Sequence, residues 1–181
     1  MDFSSMGEKE LREYLDFLLR QYRLADGFWF LAVEETFGTE AAVKLNEEVW
    51  IKIAPLAARE IKSRFAIEGE GVPAVVEALS YFPWATIIGY EIEQMEDRAV
   101  LRVPSCPPQE ARLRHGLGAF PCKAMHWGEF SRFAREIDEQ VEVRCVMAPP
   151  DPHPDHLWCQ WEFRLKEDSK EDNSSNTRRK G

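Results

Sequence analysis

Between Glu8 and Leu24 the apolar residues Leu11, Tyr14, Leu15, Leu18, Leu19 and Tyr22 recur at three- and four-residue steps, the period of one helix face. A second, shorter helical run over 27–37 stops at Gly38. Thr39 then stands as an N-cap for a long helix whose buried side carries Ala42, Leu45, Val49, Ile53, Leu56, Ala57, Ile61 and Phe65. Pro55 lies inside that helix, lacks an amide donor, and is expected to kink or divide it near 52–54. The stretch VPAVVEALSYF predicts one more helix over 73–82, stopped before Pro83.

Beyond this point the period changes from helical to alternating. GYEIEQMEDRAVLRVP alternates on both arms of a Glu96-Asp97 turn, so that Tyr90, Ile92, Ala99, Leu101 and Val103 share one face of an antiparallel hairpin. Helical patterns return over 107–115 and 125–137. The closing stretch VEVRCVMAPPDPHPDHLWCQWEFRL reads as two strands around a proline-rich turn. Folding it about its midpoint sets Cys145 opposite Cys159, with Val141, Val143, Leu157, Trp161, Phe163 and Leu165 on the same inward side of the pleat. From Lys166 the chain runs KEDSKEDNSSNTRRKG without an apolar residue, the composition of a disordered tail. The expectation is an α+β fold: a helical N-terminal half packed on an antiparallel sheet with two hairpins. Its domain is expected over 1–166, with a polar tail over 167–181.

Composition narrows the function classes. Of 181 residues, 44% are hydrophobic, including six Trp and eleven Phe, and 30% are charged, enough for one well-packed core under an ordinary polar surface. The 23 basic and 32 acidic residues leave a net charge of -9, which repels a polyphosphate backbone and argues against nucleic-acid binding. No apolar run approaches the roughly 20 residues that cross a bilayer, and MDFSSMGEKELREYL lacks a secretory pattern. The expected setting is cytoplasmic, with no membrane partner. Four cysteines in a reducing compartment read as free thiols or metal ligands.

Those cysteines carry the candidate chemistry. Cys106 precedes Pro107-Pro108, an N-cap position with proline in the first turn, where amides and the helix dipole favour thiolate. Cys122, between Pro121 and Lys123, repeats the arrangement less clearly. If both hairpins share a sheet, Cys106, Cys122, Cys145 and Cys159 converge as a ligand set for zinc or an iron–sulfur cluster, although no Cys-x-x-Cys pair supports it. As small buried hydrophobes, Cys145 and Cys159 need no metal at all.

A second arrangement of the same residues is hydrolytic: Cys106 as nucleophile, His126 as base and Asp138 as the group orienting it, with His115 and Asp151 as weaker substitutes. Arg112, in the helix that Cys106 opens, is the expected contact for a ligand carboxylate, and Trp127 and Trp161 are the expected ligand-binding aromatics, beside Phe28, Trp29, Phe30 and Trp84.

The order VPSCPPQEARLRHGLGAFPCK, FSRFAREID and VEVRCVMAPPDPHPDHLWCQWEFRL resembles a group of prokaryotic cytosolic proteins of unassigned function. More distantly it resembles aminothiazoline carboxylate hydrolase-like proteins and 4-vinyl-reductase-type small-ligand domains. The resemblance covers about residues 8–166 and is most specific in the cysteine pattern of the second half. It implies an α+β domain around a ligand pocket, often in a dimer, and so a small-molecule ligand and a homodimer. Three readings follow: a small-ligand or metal-binding protein with a four-cysteine site; a cysteine-dependent hydrolase of a cyclic amide or thiazoline carboxylic acid; and a non-catalytic dimeric regulatory protein.

Overall fold

The computed structural model describes residues 3–167; residues 168–181, which include most of the expected polar tail, lie outside them. The two helical runs predicted at the N-terminus are one helix, α1 (Glu8–Phe37), ended by Gly38 at φ 87°, a conformation that suits glycine. Gly38 also caps α2 (Thr39–Arg64). The Thr39 hydroxyl instead donates to Glu34 Oε1 at 2.7 Å. α2 runs through Pro55 as a single helix.

The buried face of α2 differs from the predicted one. Ala42, Trp50, Ala54, Ala58 and Ile61 are buried, whereas Leu45, Val49, Leu56 and Phe65 are exposed. The reason is close helix packing. Ala54 and Ala58 are fully buried, and at Gly128 of α6 (Lys123–Ile137) a Cβ would lie 2.7 Å from Ile51 Cγ1. Small residues on both helices allow an approach that a leucine stripe would block. The apolar stripe of α1 is likewise mostly outside the core: Leu11, Leu15 and Leu18 are exposed, and it is Tyr22 farther along that packs on Trp50 and Trp84.

α3 (Gly71–Ser80) stops earlier than predicted, and a short helix, α4 (Pro83–Ile88), follows with proline at its start. The first hairpin, β1 (Glu91–Gln94) and β2 (Arg98–Val103), pairs Ile92 with Leu101 and Gln94 with Ala99, the register that the alternation implies. α5 (Pro107–Arg114) begins at Pro107 after Cys106, as read from the sequence. β3 (Val141–Met147) and β4 (Cys159–Leu165) form the second hairpin. β2 pairs with β4, so all four strands make one antiparallel sheet in the order β1-β2-β4-β3. With its helical first half, the chain is α+β as expected.

The second hairpin corrects one expectation. Its register is set by Val141↔Leu165 and Val143↔Phe163, which places Cys145 opposite Trp161, and a bulge follows before Met147↔Gln160. Cys145 and Cys159 are therefore not cross-strand partners. The long proline-containing connection is not a symmetric turn, so arithmetic about its midpoint misses by two residues while keeping the pleat parity. α6 covers the inward face of the sheet, its Phe130 ring lying 5.4 Å from Trp161 and 5.7 Å from Phe163. Among the described residues no helix is long and apolar enough to cross a membrane.

Candidate functional site

A cavity of about 440 Å³ lies where α1, α4, α5 and α6 meet the ends of β2 and β4. Much of its wall is aromatic or thioether: Phe30 from α1, Trp50 from α2, Trp84 from α4, Phe120, and Met125 and Phe130 from α6. Against this wall stand a few polar side chains, among them Asp26, Asn46, Gln109, His126 and Glu129.

His126 is the centre of this set. Its Nδ1 pairs at 2.8 Å with Oε2 of Glu129, whose side chain is only 2% exposed, and the Cys122 thiol stands beside the ring from one helical turn earlier, where the His126 amide donates to the Cys122 carbonyl at 3.0 Å. Burial by itself lowers the imidazole pKa; these two partners more than reverse it and raise it to about 10. Cys122, His126 and Glu129 sit at i, i+4 and i+7 along α6, so one helix face presents all three. Gln109 braces them from α5. It accepts from the Phe120 amide at 3.0 Å, donates to the Phe120 carbonyl at 2.8 Å, and brings Nε2 to 3.5 Å from Cys122 Sγ.

Across the cavity, burial pushes Asp26 up to about 6, against a lowering bond from Trp50 and with added repulsion from Glu129. The folded chain therefore binds this proton more tightly than the unfolded chain does, and the stability this confers, present in acid, is lost as pH rises from the ordinary 3.8 through about 6. An Asp26→Asn variant keeps an acceptor for Trp50. It is expected to match the parent near pH 4 and to exceed it at pH 8 by on the order of 2 kcal/mol, since a tenfold change in proton affinity is worth about 1.4 kcal/mol and the group is partly solvated. Urea unfolding at the two pH values measures this.

The sequence-derived candidates separate. Cys106, Cys122, Cys159, His126 and Arg112 line the cavity. Cys145 does not. Cys106 is the N-cap of α5, but its amide donates to Glu110 Oε1 at 3.1 Å, and burial pushes its thiol up to about 12, so the expected activated thiolate is not there. Burial also raises the Cys145 and Cys159 thiols. All four cysteines are free. Among the described residues no group of three or more His, Cys, Asp or Glu side chains is placed to hold a metal ion, and Cys145 stands apart from the cavity that Cys106, Cys122 and Cys159 line.

Asp138 sits at the far end of α6, accepting from the Gly71 amide at 2.6 Å and the Gln140 amide at 2.7 Å, a bracing role rather than an orienting one for His126. Glu129 occupies the orienting place. Arg112 is committed to Glu34 through bonds of 2.6 and 2.8 Å. Trp127 is 54% exposed and Trp161 fully buried, and neither lines the cavity. The Cys-x3-His-x2-Glu spacing of α6 was the readable signal for the trio. Asp26, far away on α1, carried none.

A family model described as "Family of unknown function (DUF6125)" matches residues 5–165. No curated protein matches the chain. Among solved structures, the chain is similar to the crystal structure of the phenol-responsive sensory domain of the transcription activator PoxR with phenol. The identity is 14% and the TM-score 0.49, over 78% of this chain and 73% of that one.

Proposed function

The chain belongs to DUF6125, a family of unknown function, and from its site we propose that it is a small-molecule-binding domain taking a largely apolar, ring-bearing ligand into the cavity of about 440 Å³. The observation that carries this reading is the cavity itself. Its volume falls in the range of roughly 300 to 1,000 Å³ typical of ligand sites, and it joins an apolar wall to a few convergent polar groups. Trp50, Trp84 and Phe130 offer ring faces and edges, which favour flat, apolar ligands.

A panel of ring-bearing phenols, amines and carboxylic acids tests the reading by thermal shift and by quenching of tryptophan fluorescence. Saturable one-to-one binding is expected, and Val103→Phe, which fills space in the wall, is expected to abolish it while the fold is kept. No response to any ring-bearing compound, with Val103→Phe more stable than the parent, marks the cavity as packing space and removes the reading.

A further inference from the structure

Binding leaves one feature of the cavity unexplained. An apolar ligand site needs neither a buried carboxylate nor a buried histidine, and burying the two together carries a desolvation cost. Here Glu129 is almost wholly buried, it pairs with His126 Nδ1, and one helical turn before His126, whose amide donates to its carbonyl at 3.0 Å, stands the cysteine that also meets a side-chain amide. The sequence is sulfur, imidazole, carboxylate, with an amide N–H beside the sulfur and a 440 Å³ cavity in front of it. That is the order of parts an acyl-transfer site requires: nucleophile, proton carrier, orienting group and oxyanion donor.

We propose that Cys122 is the nucleophile of an acyl-transfer site in which His126 carries the proton, Glu129 positions the ring and Gln109 donates to the oxyanion, acting on esters or thioesters of small, largely apolar carboxylic acids. The proposal rests on reading the cavity as a ligand site.

The geometry assigns each part. With Nδ1 held by Glu129, Nε2 is the nitrogen free to exchange a proton, and the neighbouring carboxylate favours the imidazolium. Gln109 Nε2 carries two hydrogens. One is bound by the Phe120 carbonyl, and its orientation is fixed because Oε1 takes the Phe120 amide, so the other faces the sulfur. The remaining thiols on this wall, Cys106 and Cys159, are held protonated by burial, and it is Cys122 rather than either of them that stands close enough to raise the His126 pKa. The ionisable groups that face the cavity from other elements are Arg23 and Asp26 of α1, Tyr90 before β1, Cys106 before α5, Arg112 and Arg114 of α5 with His115 after it, and Cys159 of β4, while Tyr22 of α1 also feels the Glu129 charge. Of the arginines here Arg112 is held by Glu34, and the partner that Glu129 takes is His126.

The chemistry balances without an oxidant or a metal. The thiolate of Cys122 attacks the acyl carbon, forming an S–C bond. The bond from that carbon to the leaving oxygen or sulfur breaks, and the departing alcohol or thiol takes the proton from His126. Water then attacks the thioester and gives a proton to His126; the S–C bond breaks, the carboxylic acid leaves, and thiolate and imidazolium are restored.

The test uses the full chain with p-nitrophenyl phenylacetate as the probe, reading nitrophenolate release, intact mass and the acylated peptide. The expected result is a stoichiometric burst with one phenylacetyl group on Cys122. Cys122→Ser is expected to lose the burst, and His126→Asn to slow acylation by about a hundredfold or more. Glu129→Gln is expected to move the basic limb of the rate–pH profile to lower pH, a change that a purely structural carboxylate would not cause. Acylation of Cys106, or none at all, overturns the assignment. Phenylacetate binding, followed by thermal shift in parallel, separates the two failures: binding without acylation removes the catalytic trio and keeps the ligand site, whereas neither removes both.

Discussion

Trp161→Ala is expected to destabilise the protein by about 3–5 kcal/mol, the range for deleting a fully buried aromatic whose cavity cannot collapse. Trp161 is 0% exposed at the centre of β4, paired with Leu101 on one side and Cys145 on the other. Its ring makes edge contacts with Phe130 at 5.4 Å and His126 at 6.3 Å. Strands on both flanks and α6 above hold the backbone around it, so little can relax into the space. Its indole N–H meets no acceptor with hydrogen-bond geometry and offers the Cys159 sulfur only a weak contact. Trp161→Phe removes that unmet donor while keeping a ring, and is expected to cost a small fraction of the alanine change. Denaturant unfolding of the two variants decides it: equal losses would show that the indole nitrogen, not the packed ring, matters.

Arg112→Met is expected to cost about 3 kcal/mol, the low end for removing one partner of a buried ion pair. The guanidinium of Arg112 is 8% exposed and the carboxylate of Glu34 14%, and two short parallel bonds join them across α5 and α1. Arg112 Nε also donates to the Gly118 carbonyl at 3.0 Å, and the guanidinium lies over Phe30 and Phe120, at 5.4 and 6.0 Å from the ring centres. Methionine keeps the apolar stem and leaves Glu34 buried without its cation. The sequence suggested Arg112 as a ligand contact; the structure shows a staple between the helix that opens at Cys106 and the N-terminal helix. Its hydrogen bonds hold the Glu34 carboxyl below the usual carboxylate range. The pair therefore stabilises at pH above the ordinary value and is lost as pH falls through the lowered one. Arg112→Met is thus expected to lose less stability in acid than the parent does, and equilibrium unfolding at pH 3 and pH 7 measures the difference.

These two residues show how the same side chain reads differently in one dimension and in three. An arginine beside a helix start and a tryptophan in a strand carry no mark of their partners. Glu34 lies on another helix, far from Arg112 in sequence. Trp161 is covered by a helix whose covering face is decided by Gly128 and Ala54, residues too small to register in a hydrophobic count.

What the sequence by itself determined is local. The helical period of 8–24 and 107–115, the glycine stop at Gly38, the proline-led start after Cys106, and the alternation around Glu96-Asp97 each follow from backbone sterics and side-chain spacing within a few residues, and the helices and first hairpin stand there. The spacing of Cys122, His126 and Glu129 was also local, since a helix places i, i+4 and i+7 on one face whatever surrounds it. Tertiary structure decided which faces are buried, because close packing of α2 on α6 depends on the match of small residues between two helices. It decided the register of β3 on β4, because the connection between them is too long to fix it. It decided the protonation of the site as well: Cys106 gains a helix start but loses its water, and desolvation outweighs the helix amides there. For His126 the balance falls the other way, toward the charged form, since a carboxylate and a sulfur stand beside it inside the same wall.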